Sequence, residues 1–285
     1  MELSTSLNLL NCEPRLPVVQ QLKILKDCGF RFFDMNFCDY HDPNSPLVLP
    51  GWKNWIMQIK DFADQEGLSF YQSHGHMFEF YPDDRENNAL IDRTIAASGL
   101  LGVKWIVFHP YHQRSKMDDE NQNRTKEKFK HILELAGKHN VGVAIENMPA
   151  FYEGNNGCPD YCSDIHELIE LVDSFQSDNV GICWDTSHGN LCVEDQAKCL
   201  HLIGSRLKAL HISDNFQKQD DHMAPFYGTV KWPSIMLALS VIHYQGTFSF
   251  ETHQFTNRLP LSLRPDAIRL LHRIGEYLIK GGCKK

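Results

Sequence analysis

Eight short runs of β-forming residues alternate with helix-like segments, and this alternation constrains the fold more than any other feature of the chain. The pattern predicts strands at residues 3–8, 31–37, 68–74, 105–109, 142–147, 180–185, 207–214 and 246–251. Between them, apolar residues recur with helical spacing, as in the run Phe129, Ile132, Leu133 and Ala136. Alternating strands and helices build parallel sheets, and eight such units predict an α/β fold, the (β/α)8 TIM barrel.

The whole chain, residues 1–285, is predicted to form a single domain. Its 285 residues suit one barrel, and no linker or internal repeat interrupts the series. A doubly wound open sheet is the structural alternative. It is disfavoured because no glycine-rich phosphate-binding loop follows the first predicted strand.

Composition narrows the cellular setting and the partners. A net charge of −8, with no basic run longer than Lys284–Lys285, argues against a nucleic-acid partner. Nine cysteines, an odd number without a CxxC pair, indicate reduced thiols and a cytoplasmic protein. The N-terminus lacks a signal-peptide pattern, and no apolar run approaches the ~20 residues of a membrane span, so no membrane partner is expected.

The ends of the predicted strands carry an unusual number of acidic and histidine side chains. In a barrel of this kind, catalytic residues gather at the C-terminal ends of the strands. Buried carboxylates are costly unless they are paired or bind a metal. The polar residues at or just after these ends are Asn36, His74, His76, His109, Glu146, Asp185, His188, His211, Asp214 and Glu251.

Four of these residues, on the fifth to eighth strands, predict a metal site: Glu146, Asp185, His211 and Glu251. Three carboxylates and one imidazole suit one divalent ion, Mn²⁺, Mg²⁺, Co²⁺ or Zn²⁺. Each residue alone has an ordinary explanation, as a helix cap, an ion-pair member or a hydrogen-bonded core histidine. Their joint occurrence on successive strands favours the metal. No organic cofactor is expected.

The segment WDTSH at the end of the sixth strand also contains an Asp, a Ser and a His, which a catalytic triad would use. A nucleophilic serine normally lies in a G-x-S-x-G turn, and this chain has none. Ser187 is therefore interpreted as a filler residue. His188 is expected to contact substrate or to support the metal site, with a surface-loop histidine as the open alternative.

A long loop follows the seventh strand and contains Asp220 and His222. It is expected to act as a lid or substrate loop, although acidic pairs such as Asp220–Asp221 are more often solvated turns. The predicted substrate-contacting residues are His74, His109, His188, Asp220 and His222.

The segments IEN, WDTSH, HISDN, D-x-H, G-x-x-x-W and FET, in this order and spacing, resemble the xylose isomerase-like TIM barrels. That superfamily includes sugar-phosphate isomerases and epimerases, ketose 3-epimerases, inosose and dehydroshikimate dehydratases, and zinc AP endonucleases. The resemblance covers nearly the whole chain and implies the same four metal ligands, with His188 near the metal. It also implies that Glu146 and Glu251 move protons during isomerisation or epimerisation of a small carbohydrate.

Two positions depart from the ketose 3-epimerases. Gln217 stands where those enzymes carry an arginine, six residues after the histidine ligand, and Tyr152 stands where they carry a glutamate. These departures count against an epimerase of free ketohexoses. The loop with Asp220 and His222 more closely resembles the branch with sugar-phosphate isomerases and inosose dehydratases. A dehydratase would expel a hydroxyl group from the same enediolate intermediate.

Two further hypotheses remain open. The first is a DNA repair endonuclease with three zinc ions, for which nine ligands can be matched: His74, His109, Glu146, Asp185, His188, His211, Asp220, His222 and Glu251. Against it stand the short spacing from His211 to Asp220, the absence of a glycine-rich first loop and the absence of a basic stripe. The second is a barrel that only binds a sugar. Barrels of this type often pair, so a homo-oligomer is compatible with the sequence.

Overall fold

Eight parallel strands form the centre of the computed structural model, which describes residues 1–12, 15–77, 85–110, 119–150, 159–192 and 195–281. The strands are β1 (Glu2–Ser6), β2 (Phe32–Asn36), β3 (Ser69–His74), β4 (Trp105–Phe108), β5 (Gly142–Glu146), β6 (Val180–Asp185), β7 (Leu207–His211) and β8 (Thr247–Phe250). Each lies within or next to a strand predicted from the sequence. All eight predicted strands are therefore confirmed.

The sheet closes into a barrel. Each strand from β1 to β6 pairs in parallel with the next one along the chain, and β1 also pairs with β8. The remaining edges meet just beyond β7, where Ile212 N donates to Ser249 O at 2.8 Å and Glu251 N donates to Ile212 O at 3.0 Å. The (β/α)8 barrel is confirmed, and the open doubly wound sheet is excluded.

Helices connect the strands on the outside. They are α1 (Val18–Asp27), α2 (Trp52–Glu66), α3 (Arg85–Leu101), α4 (Asp119–Lys138), α5 (Ile165–Asp173), α6 (Thr186–Asn190), α7 (Gln196–Ile203), α8 (Trp232–Val241), α9 (His253–Asn257) and α10 (Arg264–Ile279). Short 3-10 helices occur at Leu7–Leu10, Phe37–Asp39, Gly204–Arg206 and Leu261–Leu263. The short helices α6 and α9 begin where β6 and β8 end, so they direct the chain around the rim of the barrel.

Several strands stop earlier than predicted. The first was expected to continue to Asn8 and the seventh to Asp214, but β1 ends at Ser6 and β7 ends at His211. Beyond β1, Leu7 N donates to the side-chain oxygen of Asn36 at 3.0 Å instead of continuing the backbone ladder. At the rim, polar side chains replace backbone groups as hydrogen-bond partners of the chain. The pattern of apolar residues in the sequence does not show where this replacement begins.

The barrel interior is layered. Small or medium residues form one buried layer on four neighbouring strands: Val107, Ala144, Cys183 and Ala209. Side chains two residues apart on a strand point to the same face. The next interior layer on these strands therefore holds the residues two positions later: His109, Glu146, Asp185 and His211. The period of two residues thus places three of the four predicted metal ligands, Glu146, Asp185 and His211, in a single layer above the core.

The structure also bears on two expectations from composition, the absence of a membrane span and the reduced state of the cysteines. Within the described ranges, no helix is long and apolar enough to cross a membrane. The seven described cysteines are free thiols, and Cys28, Cys162, Cys183 and Cys199 among them are buried. Cys158 and Cys283 lie outside the described residues.

Candidate metal centre

The four predicted metal ligands converge at the C-terminal end of the barrel. Glu146, Asp185 and His211 are the last residues of β5, β6 and β7, and Glu251 directly follows β8. All four are buried, and one donor atom from each lies within 4.8 Å of the other three. The structure thus brings together residues that are up to 105 positions apart in the sequence.

His211 lies between the two glutamates of this cluster. Its Nδ1 atom is 3.0 Å from Oε1 of Glu146 and 3.2 Å from Oε2 of Glu251. Asp185 completes the cluster from the neighbouring strand, because its Cα pairs with that of His211 in the β6–β7 ladder. Two carboxylates that flank one imidazole can share a cation or exchange protons with a bound molecule.

The donor atoms fit a divalent cation. Oδ2 of Asp185 is buried and has no hydrogen-bond partner among the residues that the structure describes. Oε2 of Glu146 is also buried, and the described groups that face it are the imidazole nitrogens of His109 and His74. A buried polar oxygen without a partner lowers the stability of the fold by roughly 1–3 kcal/mol, and a charged oxygen lowers it by more. A cation bound among these oxygens removes that cost. The set of three carboxylates and one imidazole suits Mn²⁺, Mg²⁺, Co²⁺ or Zn²⁺.

A second group adjoins the first through Glu146. Nε2 of His109 lies 3.2 Å from Oε2 of Glu146, and Nε2 of His74 lies 3.6 Å from the same oxygen. The two imidazole nitrogens are 3.2 Å apart. The three side chains can therefore hold a further cation. His74 and His109, predicted to contact substrate, lie directly beside the four-residue cluster.

A third group is formed by His188, Asp220 and His222. Oδ2 of Asp220 lies 2.6 Å from Nε2 of His222 and 3.2 Å from Nε2 of His188. His188 Nδ1 donates to the backbone oxygen of Asn147 at 2.8 Å, which leaves Nε2 directed at Asp220. This group also has metal-ligand spacing. Asp220 is therefore part of the rim cluster, and the solvated-turn interpretation of this residue is wrong.

The turn after β6 explains why a histidine follows Asp185 by three residues. Oδ1 of Asp185 accepts from the backbone N–H groups of Ser187 at 2.6 Å and His188 at 3.0 Å, so Asp185 caps helix α6. The helix then presents His188 on the rim. The Ser187 hydroxyl donates to Asp220 and not to His188. This geometry gives no support to a catalytic triad.

The loop after β7 is held by Asp214, which points away from the metal ligands. Its carboxylate accepts from the backbone of Val230 at 3.0 Å and of Phe226 at 3.1 Å, and from Nε1 of Trp232 at 3.0 Å. Trp232 begins helix α8 and is buried. Asp214 thus anchors the loop that carries Asp220 and His222.

The two central glutamates have pKa values that shift in opposite directions. Burial raises the pKa of Glu146, but the positive charges of His211 and His109 outweigh it and hold that pKa well below its usual range. Burial raises the pKa of Glu251, and the nearby histidines only partly oppose it. Two carboxyl groups whose environments separate their pKa values are suited to act as base and acid.

Three residues of the site were not identified from the sequence. Asp34, in the middle of β2, lies with Oδ2 3.2 Å from Nε2 of His211. Asn147 pairs with the backbone of Asp185 through both ends of its amide, at 2.6 and 3.1 Å. His253 packs against His222 with ring centroids 4.4 Å apart and ring planes tilted by 35°. Asp34 could have been noticed in the sequence because it is an acidic residue inside an otherwise mostly apolar strand.

Of the two positions that depart from the ketose 3-epimerases, the structure describes Gln217 but not Tyr152. Gln217 is in the left-handed region, with φ 62°, and its amide lies 3.5 Å from the side-chain oxygen of Asn190. Gln217 is exposed. Tyr152 lies outside the described residues.

Comparisons with known proteins agree with this architecture. Residues 22–273 match the family described as xylose isomerase-like TIM barrel. A solved structure, a xylose isomerase domain protein from Alicyclobacillus acidocaldarius, superposes with a TM-score of 0.78 and 16% identity over 100% of both chains.

Two curated relatives are similar in sequence. The uncharacterized protein y4fM from Sinorhizobium fredii is 39% identical over 206 residues, which cover 70% of this chain and 64% of that protein. A D-psicose 3-epimerase from Enterocloster bolteae is 24% identical over 217 residues, which cover 70% of this chain and 66% of that protein. The matched stretch spans less than two thirds of either relative's length. With its family model matched over most of its length, the chain belongs to the xylose isomerase-like TIM barrel family.

Proposed function

We propose that this protein is a divalent-metal-dependent isomerase or epimerase that acts on a sugar, a sugar phosphate or a related polyol. The observation that carries the proposal is the pair Glu146 and Glu251, whose carboxylates both approach Nδ1 of His211, at 3.0 and 3.2 Å. The similarity to a D-psicose 3-epimerase supports it. The proposed ligands of the metal are Glu146, Asp185, His211 and Glu251.

The proposed chemistry begins with removal of the proton α to the substrate carbonyl. The C–H bond breaks, the proton moves to the carboxylate of Glu146, and the electron pair enters the carbonyl to form an enediolate. Bound at the four ligands, the metal supplies positive charge that stabilises the enediolate oxygens. Glu146 suits the role of base because its low pKa keeps it ionised.

Glu251 then donates its proton. Delivery to the opposite face of the same carbon gives the epimer. Delivery to the former carbonyl carbon, together with transfer of the neighbouring hydroxyl proton to the former carbonyl oxygen, gives the isomer. Its raised pKa favours the protonated form that this step needs. The next turnover requires both glutamates to return to their starting protonation states, through solvent or through the reverse reaction.

The experiment is a screen of free sugars, inososes and sugar phosphates with Mn²⁺, Co²⁺ and Mg²⁺, followed by Glu146→Gln and Glu251→Gln. Each substitution is expected to lower turnover by roughly 10²–10⁴-fold, the usual contribution of an acid or base. Circular dichroism should be unchanged. Deuterium uptake from solvent into the substrate separates the two roles, because removal of the base abolishes exchange. Retained turnover in both variants contradicts the proposal.

A second candidate is a phosphodiesterase with three zinc ions. It is favoured by the two additional groups, His74–His109–Glu146 and His188–Asp220–His222, which flank the four-residue cluster at ligand spacing. Three cations could supply a hydroxide nucleophile and neutralise the phosphate.

Elemental analysis of the purified protein distinguishes the two candidates. One metal per chain, unchanged in His109→Ala and His222→Ala, supports the epimerase. Three metals per chain, reduced to about two in each of these variants, together with cleavage of abasic DNA, supports the phosphodiesterase.

A further inference from the structure

Asp34 is a buried carboxylate that none of the proposed proton transfers uses. It lies in β2, on the opposite side of His211 from the glutamates, and is 1% exposed. Its Oδ2 atom is 3.2 Å from Nε2 of His211 and accepts from Nε2 of Gln72 at 2.8 Å. Its Oδ1 atom has no hydrogen-bond partner among the described residues. Asp34 therefore contacts the proposed centre only through His211.

The contact bears on which nitrogen of His211 would carry a proton when a metal is bound. Nδ1 is the nitrogen that faces Glu146 and Glu251, so it is the one that a metal held by these residues would occupy. The remaining proton would then be on Nε2, where Oδ2 of Asp34 lies 3.2 Å away and can accept it. An imidazole that binds a metal through one nitrogen usually donates its other N–H to a carboxylate or carbonyl. The bond also limits rotation of the ring.

Asp34 is itself held in place from two other strands. The Gln72 amide donates both to Asp34 and to the backbone oxygen of Leu210 at 3.2 Å, which directly precedes His211. The Thr247 hydroxyl lies 3.4 Å from the Gln72 side-chain oxygen. Strands β2, β3, β7 and β8 thus meet at one polar layer. A carboxylate with one unpaired oxygen is a poor choice for stability alone, since it bears the full cost of desolvation.

We infer that Asp34 is a positioning residue, which orients His211 and fixes its tautomer for metal binding and thereby sets the metal affinity of the centre. The inference rests on the proposed metal centre but not on the reaction that the centre performs. Asp34 would act on the metal through His211 and not as a ligand itself. Its effect is therefore expected in the affinity for metal before any effect of substrate is considered.

The experiment compares Asp34→Asn and Asp34→Ala with the wild-type chain. Affinity for Co²⁺ and for Zn²⁺ is measured by competition with a chromophoric chelator. Loss of such a partner usually weakens metal binding by roughly 10–100-fold. Asp34→Asn keeps the volume and is expected near the lower limit, and Asp34→Ala near the upper limit. Thermal unfolding of the chelator-treated variants reports folding independently of metal.

Ser249→Ala is the matched control. Ser249 is buried in β8, and its hydroxyl lies 3.2 Å from that of Ser4, so the described side-chain contact of Ser249 does not involve a proposed metal ligand. This variant should lose some stability and keep its metal affinity. If Asp34→Asn behaves in the same way, with lower stability and unchanged affinity, the inference is overturned.

A second measurement uses the wild-type chain, so it does not depend on the variants folding. With histidines labelled with ¹⁵N in the zinc-loaded protein, His211 should show a slowly exchanging Nε2–H. A proton on Nδ1 instead overturns the inference. If the wild type binds no divalent metal at all, the proposed function fails as well, and the two failures are thus distinguishable.

Discussion

In the metal-free protein, Asp220→Asn is expected to lower stability at neutral pH and to flatten its dependence on pH. Asp220 lies between His188 and His222, and its Oδ2 atom is 2.6 Å from Nε2 of His222. Burial alone would lower the pKa of His222, but the charge of Asp220 and its hydrogen bond raise it to about 10. Without metal, this pair is an ion pair.

The sign follows from proton linkage. A histidine whose folded pKa is about 10, compared with roughly 6.5 when unfolded, stabilises the fold fully below pH 6.5. That stabilisation is lost as pH rises toward 10. The pKa of Asp220 is held well below its usual range by His222 and His188 despite burial, so its own contribution is present above about pH 4 and lost in acid. The pair therefore contributes most between roughly pH 4 and 6.5.

The loss of unfolding free energy in Asp220→Asn has an upper bound, and the value that we expect is smaller. The full pKa shift of His222 corresponds to about 5 kcal/mol, at about 1.4 kcal/mol per unit. The side chains of Asp220 and His222 are 27% and 14% exposed, and solvent screening weakens a partly exposed pair. We therefore expect Asp220→Asn to lower the free energy of unfolding at pH 6 by roughly 1–3 kcal/mol.

The assay is urea unfolding of chelator-treated protein at pH 6, 8 and 9.5. Asp221→Asn is the matched control, because its carboxylate bonds only to the exposed side chain of Gln219 at 3.0 Å among the contacts described. The difference between wild type and Asp220→Asn should shrink as pH rises. Equal stability of wild type and Asp220→Asn at pH 6, or a wild-type stability that does not fall between pH 6 and 9.5, would refute the reasoning.

Two further substitutions test the support of the site. Gly228→Ala places a Cβ atom 2.3 Å from the backbone oxygen of Asn215, so it should cost roughly 1–3 kcal/mol and disturb the loop after β7. Gly51→Ala, with open space at the Cβ position, should stay within about 0.5 kcal/mol in the same urea titration. Phe250 is fully buried against Phe30, and Phe250→Ala should lower the free energy of unfolding by about 3–5 kcal/mol. A loss below 1 kcal/mol in calorimetry would show that this end of β8 is not packed as described.

Much of the site follows from local pattern. The eight strands could be predicted because apolar runs and helical spacing are properties of neighbouring residues. Glu146, Asp185 and His211 could be placed near one rim because each lies in the C-terminal half of a predicted strand, and parallel strands end on the same side. Their role as metal ligands stays a prediction until metal binding is measured. Strand ends were less accurate, as at β7, because side chains at the rim compete for the backbone hydrogen bonds.

Other parts of the site depend on contacts across the barrel. Asp34 was missed because nothing near it in the sequence indicates that it faces His211, which is 177 residues away. Asp220 had an ordinary interpretation as part of a solvated turn. It became a partner of His188 only when the loop after β7 folded back over helix α6.

The sequence by itself determined that the chain forms alternating strands and helices and that its acidic and histidine residues lie at strand ends. These properties depend on side-chain periodicity and on neighbours within a few positions. Tertiary structure decided how those residues are grouped. Closure of the barrel makes Glu146 common to two groups and places Asp34 behind His211. Such distances join strands far apart in the chain, and only the register and curvature of the whole sheet determine them.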